Sequence, residues 1–107
     1  MMEGTDLTQL NKLERYLKEN KIPYERIDQD RDWVNGIMER HQIFVHSRMD
    51  WEWDAICHYG SYGYEQGLLE IMGCIVPKDW GDSVEGHLTA EDVIERYKAY
   101  KGGVGNG

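Results

Sequence analysis

The stretch Gln42–Val76, QIFVHSRMDWEWDAICHYGSYGYEQGLLEIMGCIV, decides the reading of this chain. Side chains alternate along a strand, so Ile43 and Val45 share one face of its first part while Phe44 and His46 share the other. After Arg48-Met49-Asp50, Trp51, Trp53, Ala55 and Cys57 fall on one face, opposite Glu52, Asp54, Ile56 and His58. A connection this short forces antiparallel pairing. The pattern predicts a hairpin joining Gln42–Ser47 to Trp51–His58. An aromatic, glycine-rich turn follows, Gly60-Ser61-Tyr62-Gly63-Tyr64, and then Leu68, Leu69, Ile71 and Met72. Wound as a helix over Tyr64–Met72, these four form a wide apolar arc that leaves Glu65, Gln66 and Glu70 to water. Such an arc suits a helix lying across a sheet. Gly73 is placed to end it in a left-handed cap.

On the N-terminal side, Leu7, Leu10, Leu13 and Leu17 recur at spacings of three and four, with Tyr16 beside them. This predicts a helix from about Asp6 to Asn20. Asp6 is its cap, Gln9 reaches back in a variant capping box, and Pro23 forbids continuation. Tyr24–Asp28 reads as a short edge strand. Asn35-Gly36 suits a type I′ hairpin turn between Trp33-Val34 and Ile37-Met38. On the C-terminal side, Pro77–Gly86 reads as an acidic loop holding Trp80. Thr89 and Asp92 then form a capping box, and Leu88 and Val93 a hydrophobic staple. Val93, Ile94, Tyr97 and Tyr100 line the inner face of the last helix, which Gly102 is expected to end.

The expectation is an α+β domain over residues 1–101, with a Gly-rich flexible tail at 102–107. It has a small antiparallel sheet of three to four strands, an N-terminal helix and two C-terminal helices, packed mainly on one face of the sheet. At 107 residues there is room for one domain. Twelve aromatic residues (four Trp, seven Tyr, one Phe) argue for a packed core. The net charge of −8 makes direct nucleic-acid binding a poor prospect, since phosphate contacts need Lys and Arg. It favours basic partner surfaces instead. The first residues show no basic n-region and no apolar h-region, and no apolar run approaches the roughly 20 residues of a membrane helix. A cytoplasmic location is therefore expected, with Cys57 and Cys74 reduced.

Candidate chemistry is sparse. His41, His46, Cys57, His58, Cys74 and His87 lack the local spacing of metal ligands, so no metal or cofactor is expected. Cys57 and His58 are adjacent on a strand and face opposite ways, so a Cys57 nucleophile would need His46, His41 or His87. Paired carboxylates such as Asp50, Glu52 and Asp54 read as a solvated face. No catalytic residue is assigned. The binding candidates are Trp51, Tyr59, Gly60, Ser61, Tyr62, Gly63 and Tyr64. The glycines allow unusual backbone conformations, and the aromatics suit a protein interface. Trp53 is expected in the core and Trp51 exposed.

Three segments carry a resemblance: WDAICH (53–58), SYGYEQGLLEIMG (61–73) and LTAEDVI (88–94). They resemble short uncharacterised proteins encoded by Gram-positive bacteria, their phages and mobile elements, over roughly the last two-thirds of the chain. No activity is assigned to that group, so no site residue carries over. The resemblance implies an intracellular accessory protein. The leading expectation is a non-enzymatic interaction module of a phage or mobile element, binding a protein partner or a second copy of itself. The alternative is a small ligand-binding domain or enzyme using the Gly60–Tyr64 turn with His58 or Cys57.

Overall fold

Leu10, Leu13 and Leu17 are fully buried on one stripe of the first helix, α1 (Thr8–Glu19). Its N-cap position is Leu7, not the expected Asp6, whose side chain accepts from the Thr8 N–H at 3.0 Å from one residue earlier. The apolar stripe packs on a five-stranded antiparallel sheet. Its strands are β1 (Glu25–Gln29), β2 (Arg40–His46), β3 (Trp51–Ile56), β4 (Leu69–Gly73) and β5 (Val84–Leu88), in sequence order across the sheet. The last helix, α2 (Ala90–Asn106), packs beside α1 over the same core. This computed structural model describes residues 6–58, 61, 63–76 and 84–106, with the side chains of 103–106 excepted.

The β2–β3 hairpin pairs as expected, with Ile43 opposite Ala55 and Val45 opposite Trp53. Alternation then sends Ile43, Val45, Trp53, Ala55 and Cys57 into the core. Trp53 is fully buried, and its ring meets Tyr97 of α2 at 5.6 Å between centroids. The register shifts by one between Val45 and His46, which pairs His46 with Trp51. Trp51 therefore does not join Trp53, Ala55 and Cys57, and it stays exposed.

The segment expected as a helix over Tyr64–Met72 is a single 3-10 turn, Tyr64–Gln66, followed by strand β4. The sheet thus has five strands rather than three to four, and one helix follows it rather than two. Leu69 and Ile71 point into the core while Met72 is exposed. That is a period of two inside a run too short to distinguish helix from strand by pattern. Gly63 and Gly67 are both left-handed and bracket the turn, so no helix can propagate through them. Gly73 does not cap a helix. It ends β4 at φ +114, opposite Trp53, where a Cβ would lie 2.6 Å from the Trp53 Cα. The fifth strand lies partly in what reads as an acidic loop.

The capping box forms as expected. The Thr89 N–H donates to Asp92 Oδ2 at 3.0 Å, and the Asp92 N–H to Thr89 Oγ1 at 3.1 Å. Gln9 does not reach back within its own helix. Its side-chain oxygen accepts from the Ala90 N–H at 2.7 Å, so α1 caps α2. The helix runs through Gly102 to Asn106. An interior glycine costs only about 1 kcal/mol and is no absolute stop.

Both sheet edges are tied to the helices by charge. On β1, Arg26 bonds Glu14 of α1 at 3.0 Å and Asp28 at 2.9 Å. On β5, the buried Glu85 receives both arms of Arg96 of α2, at 3.0 and 2.9 Å.

Candidate functional site

Both helices lie on one side, and among the described residues the other face of the sheet carries no helix. Across it the register sets Glu25, Phe44, Asp54, Met72 and Val84 in one row. Asp54 lies at the middle of this row, on the central strand, between an aromatic ring and a thioether. It is only 7 % exposed. The Gln42 amide donates to its Oδ2, and the Gln42 oxygen in turn accepts from Arg40 Nε at 2.8 Å. Arg40 also lies over the Phe44 ring at 5.8 Å. Oδ1 of Asp54 is buried without a hydrogen-bond partner. Burial raises the Asp54 pKa above the ordinary carboxylate value. The Gln42 amide, the Trp51 indole and the Arg40 charge oppose that shift, while the Glu70 charge adds to it.

Beside Asp54 the face is hollowed into a pocket of about 340 Å³. Met38, Ile56 and Met72 form its apolar walls. Gln29, Glu39, Arg40, Gln42, Asp54 and His58 supply polar groups. His58 Nδ1 accepts from the His41 backbone N–H at 3.2 Å, and burial lowers its pKa. In the neutral ring, an Nδ1 that accepts leaves the proton on Nε2.

The pocket runs into the β1–β2 connection. Asp32 and Ile37 bond each other's backbone at 2.8 Å in both directions, closing a loop of residues 33–36. The Asp32 carboxylate accepts from the Val34 N–H, the Asn35 N–H and the Asn35 side chain. These bonds hold its pKa below the ordinary value. The hairpin signal at Asn35-Gly36 is thus real, but the turn is not type I′. Only Gly36 has positive φ, and the loop has four residues rather than two. At this tip Trp33 is 69 % exposed, Val34 92 % and Met38 53 %. Met38 also lines the pocket, and its carbonyl accepts from the Gln29 side chain at 2.7 Å.

The residues singled out in the sequence do not form one patch. Trp51 opens β3, whereas Ser61, Gly63 and Tyr64 follow the other end of that strand, about 20 Å along it. Tyr59, Gly60, Tyr62 and Trp80 lie outside the described residues. Several backbone N–H groups among the described residues of the turn are engaged. Those of Ser61, Tyr64, Gln66 and Leu68 donate to carbonyls of the same turn. The Ser61 hydroxyl donates to the His58 carbonyl at 2.7 Å and accepts from the His58 N–H. Burial pushes the Cys57 thiol up to about 11, with Asp6 and Glu39 adding to the shift. Such a thiol supplies little thiolate near neutral pH. The buried His41 faces Asp28 through Nδ1 at 2.8 Å and Glu39 through Nε2 at 3.1 Å. His46 lies 3.7 Å from both Asp50 and Glu52 and does not meet His58. Cys57 and Cys74 are not bridged. Among the described residues, no three His, Cys, Asp or Glu side chains are grouped to hold a metal, and no helix is long and apolar enough to cross a membrane.

Asp54, Gln42 and Met38 were the residues that sequence reasoning missed as site candidates. A carboxylate alternating into a strand that later proves central was the available signal. No family model, curated protein or solved structure matches the chain in comparisons with all three.

Proposed function

We propose that this chain is a non-enzymatic interaction module, an accessory protein of a phage or mobile element acting in the cytoplasm. It binds a protein partner through the 33–38 hairpin tip and the adjoining open face of the sheet. One observation carries the reading: large apolar side chains stand exposed on a turn that Asp32 holds in place, continuous through Met38 with the pocket. Exposed apolar groups clustered on an ordered element mark interaction sites. The net charge of −8 selects partners with basic surface and disfavours nucleic acid. The groups that could do chemistry are occupied by the fold, as Cys57, Ser61 and His41 each illustrate. That observation weighs against the alternative of an enzyme at the Gly60–Tyr64 turn.

The test is affinity capture from the native host with the tagged full chain. Wild type is compared with a Trp33→Ser/Met38→Ser variant and a Lys12→Ala control on the exposed side of α1. Wild type and control should retain one partner, identified by mass spectrometry, that the tip variant loses. Retention by the tip variant would refute the assignment. If the captured protein is this same chain, and the tip variant dissociates a dimer in solution, the partner is a second copy.

A further inference from the structure

The geometry points to the open-face pocket as a slot for a single cationic side chain, arginine or lysine, presented by the partner. The inference rests on the interaction reading above and adds the chemistry of what is recognised. Asp54 is more than nine-tenths buried; the Gln42 amide holds its Oδ2 and the Trp51 indole also acts on the carboxylate, while no hydrogen bond forms to Oδ1. A buried acceptor left unsatisfied is costly, so it is poised to take a donor.

Three further features select the kind of donor. The first is charge. Glu39, which His41 Nε2 meets at 3.1 Å, lines the pocket with Asp54, and Glu70 adds its field to the Asp54 site, while among the described residues Arg40 is the one Arg or Lys that lines the pocket. Arg40 is drawn aside by its bond to Gln42 and its position over Phe44. His58 Nδ1 accepts from the His41 N–H, and burial disfavours the charged ring. The second feature is shape. A pocket of about 340 Å³ is near the small end of ligand sites, which run roughly 300–1,000 Å³. The third is the apolar wall of Met38, Ile56 and Met72. A long basic side chain buries its aliphatic stem on such a wall while its charged head meets the carboxylate. Gln42 cannot take over the role of donor to Oδ1, since its amide is committed to Oδ2 and its oxygen to Arg40.

The probe is N-acetyl-L-arginine methylamide, with the citrulline analogue as its neutral isostere, titrated into the full chain and followed by NMR. The arginine probe should saturably shift the backbone amides of Gln42, Asp54 and Ile56 and the side-chain amide of Gln42. Citrulline should bind at least about ten-fold more weakly, the loss expected when a charge-assisted bond becomes neutral. Asp54→Asn should bring the arginine probe down to the citrulline level. Equal binding of the two probes, shifts confined to another surface, or unchanged affinity in Asp54→Asn would each overturn the proposal. The probe comparison on wild type needs no variant to fold. It also needs no partner, so the two readings fail separately. If arginine does not bind but Trp33→Ser/Met38→Ser still strips the partner, the interaction surface stands and the cation slot falls.

Discussion

Two rows of the same sheet, one residue apart in register, place their charges in opposite ways. On the covered face the row is Arg26, Ile43, Ala55, Ile71 and Glu85. Its charged residues sit at the two edges, where Glu14 of α1 and Arg96 of α2 neutralise them, and its middle is aliphatic. On the open face the row is Glu25, Phe44, Asp54, Met72 and Val84, with a carboxylate at the centre. An edge residue can reach a helix or solvent. Asp54, at the centre of the five-stranded sheet, has Phe44 and Met72 as its lateral neighbours. The covered row supplies stability. The open row withholds it at one position, the buried carboxylate of Asp54.

The comparison can be broken at four places. Trp53→Ala removes the largest fully buried side chain of the covered face and should cost about 3–5 kcal/mol in denaturant unfolding. A loss under 1 kcal/mol would mean the core is elsewhere. Arg96→Ala strands Glu85, which is 3 % exposed, and should cost about 3 kcal/mol. Restoring most of that loss by adding Glu85→Met would show that the penalty is the unpaired charge rather than lost packing.

Asp54→Asn should act in the opposite direction and raise stability by about 1 kcal/mol at pH 7, because a buried carboxylate costs more than a buried amide. The sign follows from linkage. A carboxyl whose pKa is raised by folding stabilises the fold while protonated, and that contribution is lost as pH rises through the folded value. The advantage of Asn should therefore be full above the raised value and absent below about 3.8, the ordinary one. A pH-independent difference between variant and wild type would refute the assignment. Met38→Ser, at the exposed tip, should change stability by less than about 0.5 kcal/mol while weakening partner capture. A large stability loss there would make the tip part of the core.

Much of the covered face was legible in the sequence. Alternation through Ile43, Val45, Trp53 and Ala55 predicted the hairpin, and the Thr89–Asp92 box predicted the start of α2, because both signals are local. The fourth and fifth strands were hidden for a physical reason. Leu68–Met72 is a short apolar run whose period only the pairing with β3 decides. In β5, the register with β4 slips by one, and His87 takes positive φ there. This breaks the alternation and sends Glu85 inward to an arginine eleven residues away. The open-face pocket was invisible for a related reason. Asp50, Glu52 and Asp54 look alike as a string of acids. Only the five-strand order shows that Asp54 is the one boxed between Phe44 and Met72.

The bond from Ala90 to Gln9 spans 81 residues and sets a timetable. Residues emerge from the ribosome at about 5–20 per second, so α1 waits roughly 4–16 s for the helix that completes its cover. Throughout that interval Leu10, Leu13 and Leu17 lack part of the surface that finally encloses them. Each new molecule therefore passes through a window in which its first helix is open to chaperones and to other nascent chains.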